Sequence, residues 1–69
     1  MKEITFVITE AEEGGFNARA LGHSVFTQGA TRQEIETNVR DAVLCHFEPE
    51  EAVPKLIHLH YVHDQVIAV

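Results

Sequence analysis

A single run of helical periodicity, from Thr31 to Phe47, sits between stretches that alternate with a period of two. That arrangement constrains the fold more than any other feature. One amphipathic helix cannot bury its apolar stripe against itself, so it needs a sheet to lie on. The helix opens on Thr31-Arg32-Gln33-Glu34, a capping box in which the threonine hydroxyl accepts from the Glu34 amide and the Glu34 carboxylate reaches back to the Thr31 amide. It stops before Pro49, which cannot continue it. At about 100° per residue, Ile35, Val39, Ala42, Val43, His46 and Phe47 share one face. Arg32, Gln33, Thr37, Arg40 and Asp41 lie largely opposite. Leu44 also projects away from Ile35, towards water, and is a candidate contact for a partner or a second copy.

The flanking segments supply the sheet. Residues 2–10 alternate, with Ile4, Phe6 and Ile8 on one side and Thr5, Val7 and Thr9 on the other. Ala11-Glu12-Glu13-Gly14-Gly15 closes a hairpin, its glycines being free to take positive φ. Phe16 to Leu21 returns, and its small alternates Ala18 and Ala20 leave room for a bulky neighbour. Ser24 to Thr27 is a third short strand, and Gln28-Gly29-Ala30 turns into the helix. Beyond the acidic connector Glu48-Pro49-Glu50-Glu51-Ala52-Val53-Pro54, residues 55–63 alternate again. There Ile57, Leu59 and Tyr61 face one way, His58 and His60 the other. Val66-Ile67-Ala68-Val69 is an uncharged apolar tail that either folds back as a fifth strand after Asp64-Gln65 or pairs with another copy. The expected fold is a two-layer α+β domain over residues 1–69, an antiparallel sheet packed on one helix in the order β-β-β-α-β, with a possible further strand.

Charge and size narrow the function. Eleven acidic and five scattered basic residues give a formal charge of −6, and no basic cluster exists to neutralise phosphates. Direct nucleic-acid binding is therefore not expected, whereas a basic protein would be attracted. A chain of 69 residues hides only roughly 60 % of its unfolded surface, so self-association would help it. The one cysteine, Cys45, can form no disulfide within the chain. With no export or membrane-spanning run, a soluble cytoplasmic protein is expected.

Taken in order, Thr5 to Phe16, Phe26-Thr27-Gln28-Gly29-Ala30-Thr31 and the helix segment Ile35 to Val43, containing Asn38-Val39-Arg40-Asp41-Ala42, resemble the HicB-like antitoxin family. The shared pattern is an acidic pair, two glycines and an aromatic, then the Thr-Gln-Gly turn, then the Asn-led helix core, over residues 4–47. The resemblance implies a partial RNase-H-like fold and a prokaryotic intracellular protein. Its relatives neutralise a small basic mRNA-cleaving toxin, HicA-like, by covering its active surface. Leu21-Gly22-His23-Ser24 is shorter than the family's loop and lacks its prolines and cysteine, which weakens the transfer of toxin contacts there. The chain stops at Val69 without the family's C-terminal DNA-binding domain, so autorepression is not expected.

Other chemistry is weighed against this. His58 and His60, alternate residues on one strand face roughly 7 Å apart, are weak metal candidates that would need a second subunit to complete four ligands. His46 reads as a hydrogen-bonded core histidine. Cys45 and His46 are adjacent on the helix and badly placed to share a proton. An RNase-H nuclease needs several carboxylates around two metals, and the strands offer only Glu3 and Glu10 at their ends. No enzymatic activity, cofactor or resident metal is expected. The expected function is protein binding, as an antitoxin module whose acidic surface (Glu12, Glu13, Glu50, Glu51) engages a basic toxin. The alternatives are a homo-oligomeric structural domain assembled through Leu44, Val66, Ile67 and Val69, and a metal- or ligand-binding domain.

Overall fold

The computed structural model describes residues 3–47, 53–63 and 65–69. Strands β1 (Glu3–Glu10), β2 (Phe16–Ala20) and β3 (Phe26–Gly29) precede helix α1 (Arg32–His46), and β4 (Leu56–Val62) follows it. The four strands form one sheet in the order β3-β2-β1-β4, with α1 packed on one face, so the α+β, two-layer expectation holds.

The first three strands pair antiparallel, Ile8 opposite Ala18 and Ala18 opposite Thr27. The fourth does not: β4 runs parallel to β1, with Ile4 beside Ile57, Phe6 beside Leu59 and Ile8 beside Tyr61. The sheet is therefore mixed rather than wholly antiparallel. The reason is the helix. Parallel strands need a crossover of a dozen or more residues, and the 15-residue α1 carries the chain from β3 at one edge to β4 at the other.

The alternation of β1 places Ile4, Phe6 and Ile8 beneath α1, where they meet Ala18, Ala20, Val25, Ile35, Val39 and Val43 in the buried core. Small side chains on β2 let the helix lie close, and α1 packs chiefly over β3 and β2. Its start is tied down in three ways. The Thr31 hydroxyl accepts from the Glu34 amide at 3.1 Å, and Asn38 Nδ2 donates to the Gln28 carbonyl at 2.7 Å. Gly29 passes so near the first turn that a Cβ there would sit 3.0 Å from the Ile35 amide nitrogen. The hairpin between β1 and β2 closes through Ala11 N–H to the Gly15 carbonyl, with Gly14 and Gly15 at φ 96° and 81°.

Three local expectations change. The buried stripe of α1 is Ile35, Val39 and Val43, and His46 is exposed rather than a core histidine. His46 is the final residue of α1, three positions beyond Val43, where the buried stripe stops. The His46 ring instead meets Phe47 and His23 edge-on, at centroid distances of 5.0 and 6.3 Å. The third strand begins at Phe26 rather than Ser24, and the second ends at Ala20. Residues 65–69 form no fifth strand and stand exposed. The acidic connector residues 48–52 and the turn residue Asp64 lie outside the described residues.

Candidate functional site

The face of the sheet turned away from α1 follows from strand parity. Thr5, Val7 and Thr9 of β1, Asn17 and Arg19 of β2, Phe26 and Gln28 of β3, and Leu56, His58, His60 and Val62 of β4 share it, as the pairing register requires. Most of these residues are polar, as a solvated face demands. Set among them are Phe26, 64 % exposed, together with Leu56 and Val62, also exposed. Phe26 and Arg19 are cross-strand neighbours, and with Val7, Thr9 and Asn17 they line a shallow concavity of about 310 Å³. The concavity is thus bordered by an aromatic ring, a guanidinium and small hydroxyl and amide groups.

His58 and His60 both lie on this open face, exposed. His58 Nε2 sits 2.7 Å from Glu3 Oε1, so the diagonal neighbour on β1 already occupies that imidazole. Among the described residues no three metal-ligating side chains converge. His63, of opposite parity, reaches Glu10 Oε2 at 3.4 Å. These ion pairs join exposed side chains, and such contacts add little to stability.

The other predicted residues fall at two ends. Because β1 and β4 are parallel, the hairpin tip carrying Glu12 and Glu13 shares one end of the sheet with the start of the tail, a closeness the Glu10–His63 contact records. The start of α1 lies there too, with the Arg32 guanidinium 4.5 Å from the centre of the Tyr61 ring and Tyr61 edge-on to Phe16. Glu12, Glu13, Val66, Ile67 and Val69 are all exposed at or beyond this end. Leu44, 56 % exposed, belongs to the last turns of α1, near the His23, His46 and Phe47 rings at the other end. The structure therefore does not bring Leu44 together with the tail. The apolar residues of the open face were not singled out from sequence. Their signal was an apolar residue in the polar phase of an alternating strand, at Phe26, Leu56 and Val62.

Among the described residues no helix is long and apolar enough to cross a membrane. No family model matches the chain, and no solved structure does. Two curated relatives do. The chain is 44 % identical over 68 residues to a UPF0150 protein of Thermotoga maritima, covering 99 % of this chain and 94 % of the relative. It is 49 % identical over 53 residues to a UPF0150 protein of Archaeoglobus fulgidus, covering 77 % of each. Agreement of this extent along nearly the whole chain places it by descent: the chain belongs to the UPF0150 family.

Proposed function

We propose that this chain is a non-enzymatic binding module that neutralises a small basic mRNA-cleaving toxin of the HicA-like type, acting in the cytoplasm where such a target is found. The observation that carries the reading is the division of labour within the sheet. Every buried side chain among the described residues is apolar, so the interior serves packing and any function resides on the surface. That surface combines an exposed aromatic and two aliphatic side chains on the open face with a formal charge of −6. Apolar anchors on a molecule of net negative charge suit a protein partner of the opposite sign, which the field draws in and the anchors then hold. Glu12 and Glu13, exposed at the hairpin tip, extend the acidic surface at one end of the molecule. The likeness of residues 4–47 to HicB-like antitoxins supports the choice of a basic ribonuclease among basic proteins.

Native-level capture at low ionic strength tests the reading. A small basic protein should co-purify stoichiometrically, cleave RNA once freed, and stop cleaving when the chain is added back. Lowering the net charge from −6 to about −2 by Glu12→Lys with Glu13→Lys should slow association and weaken the complex. Recovery of no small basic protein, or of one whose RNA cleavage the chain leaves unchanged, sinks the proposal.

A further inference from the structure

The tail and the free edge of β4 fit one another, but not within one chain. β4 is the last strand of the order β3-β2-β1-β4, so among the described residues the main-chain groups along its outer side have no strand beside them. Leu56 to Val62 is also the longer of the two edge strands, with no proline and no inward charge to discourage pairing. On its helix side Ile57 and Leu59 are only half-buried. Since α1 packs over β3 and β2, an open groove of about 290 Å³ remains above β4, floored by Ile57 and Leu59 and flanked by Val39, Glu36 and Arg40. On the other side Leu56 and Val62 are exposed. The β4 edge is thus apolar on its helix side, and on its open side it carries Leu56 and Val62 at the two ends with His58 and His60 between them.

The tail has the matching property. Val66, Ile67 and Val69 are 89, 75 and 127 % exposed, and with Ala68 they form a segment apolar in both strand phases. Such a segment laid beside β4 would place one pair of side chains along Ile57 and Leu59 and the other along Leu56 and His58. The tail does not fold back on its own β4. The molecule measures 51 Å along its long axis against 20 and 17 Å, whereas eight residues of β1 span about 26 Å. Its radius of gyration, 13.3 Å, exceeds the roughly 11 Å expected of a compact chain this long. Residues 65–69 have no strand pairing and stand exposed.

We infer that residues 65–69 are an exchange arm, which in solution lies along the free β4 edge of a second copy and extends its sheet by one strand. The occupant is a second copy because arm and acceptor edge are present on the same chain, each lacks a strand partner among the described residues, and the apolar arm matches the Ile57 and Leu59 floor of the groove. A two-fold arrangement satisfies both at once, each copy giving its arm and receiving the other's. Both edges and both arms are then covered, which is how small domains commonly complete a core too lean to stand alone. The inference is independent of the toxin proposal: a dimer that binds no basic protein would leave it standing.

The test uses the full chain. Sedimentation equilibrium should give twice the chain mass at micromolar concentration. In a mixture of isotope-labelled and unlabelled copies, filtered proton contacts should connect the Ile67 methyl groups of one copy with Ile57 or Leu59 of the other. Ile67→Asp should raise the dimer dissociation constant roughly tenfold or more, with the circular dichroism of the body retained. Ile67→Ser, a smaller change, should act in the same direction. A monomer, a dimer indifferent to both substitutions, or contacts from Ile67 only within its own copy would overturn the inference.

Discussion

The two faces of the sheet use the same four strands to opposite ends. Beneath α1, Ile4, Phe6, Ile8, Ala18 and Ala20 are essentially sealed from water, and each is apolar. On the open face, the residues between them are Thr5, Val7, Thr9, Asn17 and Arg19, and the largest apolar group there, Phe26, is more than half exposed. Period-two alternation sorts the residues, but the sorting means different things on the two sides. The inner face is constrained by volume, since a packed interior leaves no room to vary. The outer face is constrained only by what it must touch. Changes to the inner face should therefore appear as lost stability, and changes to the outer face as lost binding.

The largest effect is expected at Phe6, fully buried in the middle of β1 beside Leu59. Phe6→Ala removes a ring from a packed core and should cost about 3–5 kcal/mol. A 69-residue domain has roughly 3–10 kcal/mol in all. Urea denaturation should show the variant largely unfolded or barely folded. A loss below 1 kcal/mol would mean that the inner face is not packed as described, and the comparison would fail at its root.

A middle-sized effect is expected where the constraint lies in the backbone. Gly15 has φ 81°, and a Cβ there would lie 2.8 Å from the carbonyl oxygen of Gly29, so the hairpin and β3 approach each other through it. Gly15→Ala faces both a left-handed backbone and a main-chain collision, and should cost about 1–3 kcal/mol. Gly14, with φ 96° but nothing within 4 Å of a Cβ, faces only the first. Thermal melts of the two alanine variants should rank Gly15 as the more costly. Equal losses would show that φ alone governs the turn.

The inner face was legible in the sequence because its signals are local. The β1 alternation, the Thr31 cap and the stripe Ile35, Val39, Val43 each follow from spacing within one element. What was illegible depends on how elements meet. Alternation in β4 is the same whether that strand runs with or against β1, so the parallel pairing had no sequence signal until the helix was seen to cross the sheet. His46 continues the helical stripe by periodicity, yet periodicity cannot say that burial stops at Val43. The candidate surface was harder still. One apolar residue in a polar phase is ordinary on any protein, so Phe26 became noticeable only once register set it beside Arg19 and Val7.

Phe26 gives the sharpest form of the comparison, and the smallest change in stability. It is exposed and lies on the short edge strand, and its side chain covers no buried residue of the core cluster. Phe26→Thr replaces the ring with a β-branched residue suited to a strand and opens no cavity, so unfolding free energy should move by less than about 1 kcal/mol. If the open face is the binding surface, the same substitution should weaken the complex with a basic partner tenfold or more, because a rigid aromatic anchor beside a guanidinium is the kind of group on which interface energy concentrates. Phe6→Ala would also reduce binding, but only through the fraction of unfolded chain, and lowering the temperature or adding a stabilising osmolyte should recover it. No such recovery is expected for Phe26→Thr, whose fold is intact from the start. Parallel titrations of the two variants, with and without osmolyte, separate a face that builds the molecule from one that uses it. Full binding by Phe26→Thr would remove the open face from the function altogether.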